Sequence, residues 1–315
     1  MAKPKVGIIG AGNVGATCAQ RILERDIADV ALVDVVAGLA AGKALDLAQA
    51  AVLEGHDGKI VGSHEYTGLQ GAQIVVITAG MARKPGMTRE DLLEANAKIV
   101  HSIVPRVMSQ APEAILILVS NPLDAMAYLA AQMTKWGPRR VFGMAGVLDS
   151  ARLRCFVAEK LKVSVKEVQG LVLGGHGDTM VPVPEMTTVA GVPITKLLPK
   201  EEVEQLIERT RKGGAEIVGL LKTGSAFYAP ASSTADMVQA ILLNENRILP
   251  VCAWLTGQYG LDKVYCGVPA RLGQGGLREV VEIPLSDAAK KSLNQSADAV
   301  RKEMKAIDAF LNAAA

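Results

Sequence analysis

Val6-Gly7-Ile8-Ile9-Gly10-Ala11-Gly12-Asn13-Val14-Gly15 is an apolar run that breaks at a glycine and reopens into the helix-favouring stretch Ala16-Thr17-Cys18-Ala19. A buried strand that turns directly into a helix reads this way. The glycines at 10, 12 and 15 have GxGxxG spacing, and each has a task. Gly10 permits the tight turn, Gly12 lets the backbone approach a pyrophosphate, and Gly15 lets the helix pack closely on the strand. The new helix aims its free N–H groups and the positive end of its dipole at the same spot, so Ala11, Asn13 and Val14 complete the expected phosphate loop. GxGxxG alone is weak evidence. Here the second strand ends in Ala31-Leu32-Val33-Asp34, which puts an acid about 20 residues on, where it can accept hydrogen bonds from adenosine ribose hydroxyls. The plain structural alternative is that Asp34 caps the next helix. Its charge opposes a 2′-phosphate, and Val35 and Val36 bring no cation, so NAD is expected over NADP.

Outward from this turn, β-rich runs at about 5–9, 30–34, 73–78 and 114–119 alternate with Ala-rich helical stretches. That alternation predicts parallel strands joined by crossover helices, an α/β class with a Rossmann doubly wound parallel sheet over 1–145. From Asp149 the rhythm changes to a helix, a Gly-rich segment, Pro-punctuated strands near 181–194 and a long charged helix near 200–222. Strands near 248–255, 262–268 and 277–282, separated by Gly and Pro, predict an antiparallel sheet, and Ser286 opens an amphipathic helix. The expectation for 146–315 is an α+β substrate domain, with the functional site between the halves.

Composition limits the partners. Lys and Arg number 34 against 32 for Asp and Glu, a formal net charge of +2, which supplies no broad field for nucleic acid or an acidic membrane. Apolar runs such as Ile115-Leu116-Ile117-Leu118-Val119 are far shorter than the roughly 20 residues needed to span a bilayer. Met1-Ala2-Lys3-Pro4-Lys5 has no apolar signal core, and Cys18, Cys155, Cys252 and Cys266 show no CxxC pairing. Reduced core thiols, no metal site and a cytoplasmic location are therefore expected.

Chemistry is expected at two further segments. Leu173-Gly174-Gly175-His176-Gly177-Asp178 places a histidine in a Gly-rich turn after an apolar strand, and Asp149-Ser150-Ala151-Arg152 places an acid and an arginine at i and i+3, on one face of a helix. A carboxylate aimed at an imidazole nitrogen fixes its tautomer and raises its pKa, which frees the other nitrogen to exchange a proton with substrate. Taken singly, the histidine reads as an ordinary surface or core group, and the Asp/Arg pair as a solvated salt bridge.

Together, the amino-terminal fingerprint, Leu148-Asp149-Ser150-Ala151-Arg152 and Gly174-Gly175-His176-Gly177-Asp178 resemble the 2-hydroxyacid dehydrogenases of the lactate/malate dehydrogenase family. Their order and separation fit over essentially the whole chain, as does Val119-Ser120-Asn121-Pro122 at the end of the fourth strand. The resemblance implies that His176 is the proton donor and acceptor, that Asp149 pairs with it, and that Arg152 clamps the substrate's reacting-end carboxylate, a task suited to a planar guanidinium. It implies that Asn121, otherwise a turn residue before Pro122, touches the substrate oxygen, and that Asn96, Val119, Ser120 and Asn121 join the NAD site.

Ala79-Gly80-Met81-Ala82-Arg83-Lys84-Pro85-Gly86-Met87-Thr88-Arg89 looks like the family's mobile lid; its bland reading is a surface loop with solvated cations. By resemblance, Arg89 polarises the substrate carbonyl after closure. Arg83 stands where lactate dehydrogenases commonly carry Gln and malate dehydrogenases carry Arg, and Ala226 where the lactate enzymes usually carry Thr. Both positions point to a C4 dicarboxylate, hence interconversion of (S)-malate and oxaloacetate, a tricarboxylic acid cycle step. Gly38-Leu39-Ala40-Ala41-Gly42-Lys43-Ala44-Leu45-Asp46-Leu47-Ala48 resembles the family's dimer-contact helix, although an ordinary core helix explains the same small residues. A homodimer or homotetramer is expected. The rival readings are a lactate enzyme with an atypical lid and a catalytically silent NAD-binding regulator.

Overall fold

The computed structural model describes residues 3–82 and 87–314. The first half alternates as expected: β1 (Lys5–Ile9), α1 (Asn13–Glu24), β2 (Asp29–Val33), α2 (Leu39–Glu54), β3 (Ile60–Ser63), β4 (Ile74–Ile77), α3 (Arg89–Gln110), β5 (Ile115–Leu118), α4 (Leu123–Thr134) and β6 (Val141–Gly143). These six strands pair in parallel in the order β3-β2-β1-β4-β5-β6. Chain direction across the sheet reverses between β1 and β4, and ligands of open α/β sheets bind at the carboxyl ends of the strands flanking such a switch. Central residues such as Ile8, Val76 and Ile117 are fully buried, because helices cover both faces of a parallel sheet.

The second half begins with α5 (Gly146–Leu161). Five two-residue strands follow, β7 (Val168–Gln169), β8 (Val172–Leu173), β9 (Val181–Pro182), β10 (Thr188–Val189) and β11 (Val192–Pro193). Next come α6 (Ile194–Leu197), α7 (Lys200–Leu221), α8 (Tyr228–Leu242), β12 (Arg247–Thr256), β13 (Asp262–Gly273), β14 (Gly276–Val280) and α9 (Asp287–Ala314).

The three long strands are antiparallel, but they do not form a separate sheet. β12 joins the edge of β6 through Cys252 and Gly143, and the nine-stranded sheet runs β14-β13-β12-β6-β5-β4-β1-β2-β3. Gly and Pro punctuation marks hairpins and carries no information about which edge they join. One continuous core therefore includes Ile8, Leu116, Val251 and Val268 from both halves, while a smaller cluster centred on Leu153, Val157 and Leu206 joins α5 to α7. α9 is tied to α4 by a 2.7 Å hydrogen bond from the Tyr128 hydroxyl to Asp308. This brings α9 against the segments that carry the site.

Candidate active site

The glycine turn has the geometry its spacing predicts. Gly10 has φ +104°, in the left-handed region, and a Cβ on Gly15 would lie 1.8 Å from the Gly10 carbonyl oxygen, so α1 can sit this close to β1 only without a side chain. A Cβ on Gly12 would meet nothing within 4 Å. Bare backbone thus faces open space at the start of α1, whose first turn holds no acid and whose N-cap makes no side-chain hydrogen bond. These features fit a dinucleotide pyrophosphate. Asp34 accepts the Ala11 N–H at 2.6 Å and the Val36 N–H at 2.9 Å, which places its carboxylate beside the loop.

Lys43 is the residue that sequence reasoning passed over. Its ammonium donates to the Ala11 carbonyl at 2.8 Å, so Ala11 is held at its N–H by an acid and at its carbonyl by a cation. The expectation that no cation stands near Asp34 held for Val35 and Val36 but not for the helix beyond them. Lys43 lies nine positions after Asp34, and only the packing of α2 onto β3 brings it back to the loop.

At the carboxyl end of β5, Ser120 donates to the Ala79 carbonyl at 2.5 Å. Asn96, 1% exposed on α3, accepts the Met81 N–H at 2.7 Å and donates to the Asn121 carbonyl at 2.6 Å. Both side chains fasten the start of the 79–89 segment to the end of β5, next to Val119 and Asn121. Arg83 lies outside the described residues. α3 starts at a capping box in which Thr88 and Asp91 exchange hydrogen bonds of 2.9 and 3.0 Å. Arg89, the first residue of that helix, ion-pairs with Asp178 on the histidine loop.

Asp149 joins the expected proton-exchanging histidine to the expected carboxylate clamp. Its Oδ2 lies 2.9 Å from His176 Nδ1, and its Oδ1 accepts from Arg152 Nη1 at 3.2 Å. The carboxylate side chain is 2% exposed, so water does not compete for it. Burial alone would lower the His176 pKa, but the charge and hydrogen bond of Asp149 outweigh it and hold the imidazole above its ordinary value; Arg152 opposes this rise and Asp124 assists it. Among the described residues, Arg152 Nε is buried without an acceptor. A Cβ on Gly213 of α7 would come 3.2 Å from Arg152 Cδ, and one on Gly214 3.5 Å from Nη2. The two glycines clear the volume the guanidinium occupies.

The histidine loop is anchored by residues that carry no sequence signal. Gly174 exchanges backbone hydrogen bonds of 2.8 and 3.0 Å with Gly267 of β13. Ser296 of α9 accepts the Gly175 N–H at 2.8 Å, and Asp124 of α4 accepts the His176 N–H at 2.9 Å. Burial pushes the Asp124 carboxyl above the usual range. Two turns along α9 from Ser296, burial and nearby Asp124 raise Glu303 to about 7 against the pull of Arg89. Ala226 is half-buried between α7 and α8. Among the described residues no cluster of His, Cys, Asp or Glu could hold a metal, and no helix is long and apolar enough to cross a membrane.

The arrangement can bind a dinucleotide at β1, exchange a proton at His176 and grip an anion at Arg152. Known proteins resemble the whole chain. Residues 4–143 match the NAD binding domain of lactate/malate dehydrogenase, and residues 146–311 match the alpha/beta C-terminal domain. The chain is 53% identical to a malate dehydrogenase of Thermomicrobium roseum over 303 residues, 96% of this chain and 98% of that one. It is also 53% identical to a malate dehydrogenase of Nostoc punctiforme over 301 residues, 96% and 92% of the two chains. It superposes on malate dehydrogenase from Salinibacter ruber with a TM-score of 0.94 and 42% identity, covering 99% and 100% of the chains. It superposes equally on a lactate dehydrogenase of Cryptosporidium parvum, solved with lactic acid and nicotinamide adenine dinucleotide, with a TM-score of 0.95, 34% identity and coverage of 98% and 99%. Both halves, the glycine loop of one and the histidine loop of the other, are thus accounted for together, and the chain belongs to the lactate/malate dehydrogenase family.

Proposed function

We propose that this protein is an NAD-dependent dehydrogenase that interconverts (S)-malate and oxaloacetate. The observation that carries the reading is the single buried carboxylate of Asp149, bonded at once to His176 and Arg152. A proton-transfer group and a carboxylate-binding group are thereby fixed relative to one another, as a 2-hydroxyacid requires. The malate dehydrogenases among the relatives, at up to 53% identity over nearly the full chain, support the C4 diacid over lactate.

In this reading Asp149 keeps the proton on His176 Nδ1, so Nε2 is the atom that exchanges with substrate. Arg152 holds the carboxylate next to the reacting carbon, using the donors it does not share with Asp149. In malate oxidation Nε2 takes the hydroxyl proton while the C2–H bond breaks, and in reduction it returns that proton to the developing alkoxide. The bound nicotinamide supplies the acceptor or donor of the hydride. Asn121 hydrogen-bonds the reacting oxygen. Gly10, Ala11, Gly12, Asn13, Val14 and Gly15 cradle the pyrophosphate, Asp34 takes the ribose hydroxyls, and Val119, Ser120 and Asn96 complete the wall. Arg89 exchanges Asp178 for the substrate oxygen when the 79–89 segment closes and water is excluded. Arg83 pairs with the distal carboxylate.

We place the boundary between the NAD-binding and substrate domains at 145, where α5 begins, and assign the protein to the cytoplasm on its free thiols. α2 turns outward Leu45, Val52 and Leu53, which are 62%, 85% and 88% exposed, beside Ala41, Gly42 and Ala48. Such a face supports a homodimer with α2 at its centre. The enzymatic reading is tested by supplying NAD+ with (S)-malate or (R)-malate to the purified protein: NADH formation with the S enantiomer alone is expected, and formation with neither would remove the assignment.

A further inference from the structure

The cation beside the glycine loop has no part in the mechanism above. Lys43 is the one basic residue of α2. It is half-buried, and among the described residues its ammonium makes one hydrogen bond, at 2.8 Å to the Ala11 carbonyl, which leaves two of its three N–H groups without a protein acceptor. No ion pair within 4.0 Å neutralises it among the described residues. α2 is not free to carry it away, because a Cβ on Gly62 of β3 would lie 2.0 Å from the Ala40 carbonyl oxygen, a backbone-to-backbone contact one turn before Lys43. At the same residue, Asp34 takes the Ala11 N–H at 2.6 Å. Ala11 is therefore gripped at both ends, and the start of α1 gains a full positive charge that its own backbone lacks.

We infer that Lys43 is a dinucleotide-binding residue, which fixes the Ala11 carbonyl and places its charge beside the anionic pyrophosphate-to-adenosine side of NAD. Discrimination against NADP then falls to the Asp34 charge, because the surroundings are not devoid of cations. The consequence is a binding energy with an electrostatic component that originates in α2, outside the GxGxxG segment.

The test uses the full-length protein and NADH binding followed by fluorescence, without substrate, so its outcome is independent of which keto acid the enzyme reduces. Lys43→Met keeps the stem and removes the charge, and it should weaken NADH binding by about tenfold. Lys43→Arg should restore affinity to within about threefold of wild type. Repeating the titration over a range of salt separates a charge from a prop: the Met variant should show a shallower dependence of log Kd on log salt, because fewer charges are screened. NADH affinity within twofold of wild type in Lys43→Met overturns the inference. So does a weakening that leaves the salt slope unchanged and is not rescued by Arg, which would make Lys43 a structural strut. If the Met variant does not fold, as judged by its thermal transition, Lys43→Gln is measured against the same criteria.

Discussion

At the residue scale, everything turns on how Asp149 governs His176. The folded-state pKa of His176 lies above its ordinary value, so the stability it contributes through Asp149 is fully present below the unfolded value and is lost as pH rises through the folded one. Catalysis follows the same proton. With His176 as the proposed proton donor, oxaloacetate reduction should persist to higher pH than an unperturbed histidine allows, falling as pH rises through the raised pKa, whereas malate oxidation should gain over that interval. In Asp149→Asn, burial is no longer outweighed, so the alkaline limb of kcat for reduction should move to lower pH, together with a fall in rate on the order of 10²- to 10⁴-fold. His176→Asn should bind NADH nearly as wild type while losing turnover to a similar extent. An unmoved limb in the Asp149 variant would detach Asp149 from the proton. Asp149 and Arg152 were legible in the sequence because they stand at i and i+3 of one helix, and His176, 27 residues on from Asp149, was legible through its Gly-rich turn and the family resemblance. Asp124, Ser296 and Lys43 were not, since each reaches its partner across a large gap in the chain: 52 residues from Asp124 to His176, 121 from Ser296 to Gly175 and 32 from Lys43 to Ala11.

At the scale of the element, α7 offers an internal comparison. A glycine inside a helix is roughly 1 kcal/mol less favourable than alanine, and α7 holds Gly213, Gly214 and Gly219. A Cβ on Gly219 would meet nothing within 4 Å, whereas one on Gly213 would press on Arg152 Cδ at 3.2 Å. Gly219→Ala should therefore raise the unfolding free energy by about 0.5 to 1 kcal/mol with unchanged kinetics. Gly213→Ala should raise KM for the keto acid by roughly three- to tenfold, with NADH affinity unchanged, because a misplaced clamp loses substrate orientation. Denaturant titration and steady-state kinetics on both variants check this, and equal kinetic behaviour of the two would show that the Arg152 pocket has slack. The helix itself was predicted at 200–222 from its charge pattern and is found at Lys200–Leu221. The purpose of its paired glycines was invisible, since in sequence they read only as weak helix formers.

At the scale of the molecule, the continuous sheet and shared core bind the cofactor half to the substrate half, so the glycine loop and histidine loop keep a fixed relation. The alternation of strands and helices announced the doubly wound half, and hairpin punctuation announced β12 to β14, but their union with β6 rests on a single pairing of Cys252 with Gly143 that no periodicity encodes. The apolar outer face of α2 makes a prediction about assembly. Leu53→Asp combined with Val52→Asp should yield monomers in sedimentation velocity at concentrations where wild type is expected to be dimeric, since each subunit would have to bury two charges in the proposed interface. A wild-type protein that sediments as a monomer would contradict the dimer. The most direct measurement of the account as a whole is the ratio of kcat/KM for oxaloacetate to that for pyruvate, with saturating NADH and the wild-type enzyme. Loss of one partner from a buried charge pair is worth about 2 to 5 kcal/mol, or roughly 30-fold and upward in rate constant, and pyruvate lacks the second carboxylate altogether. A ratio above about 30 in favour of oxaloacetate is expected; a ratio at or below one would make the protein a lactate enzyme.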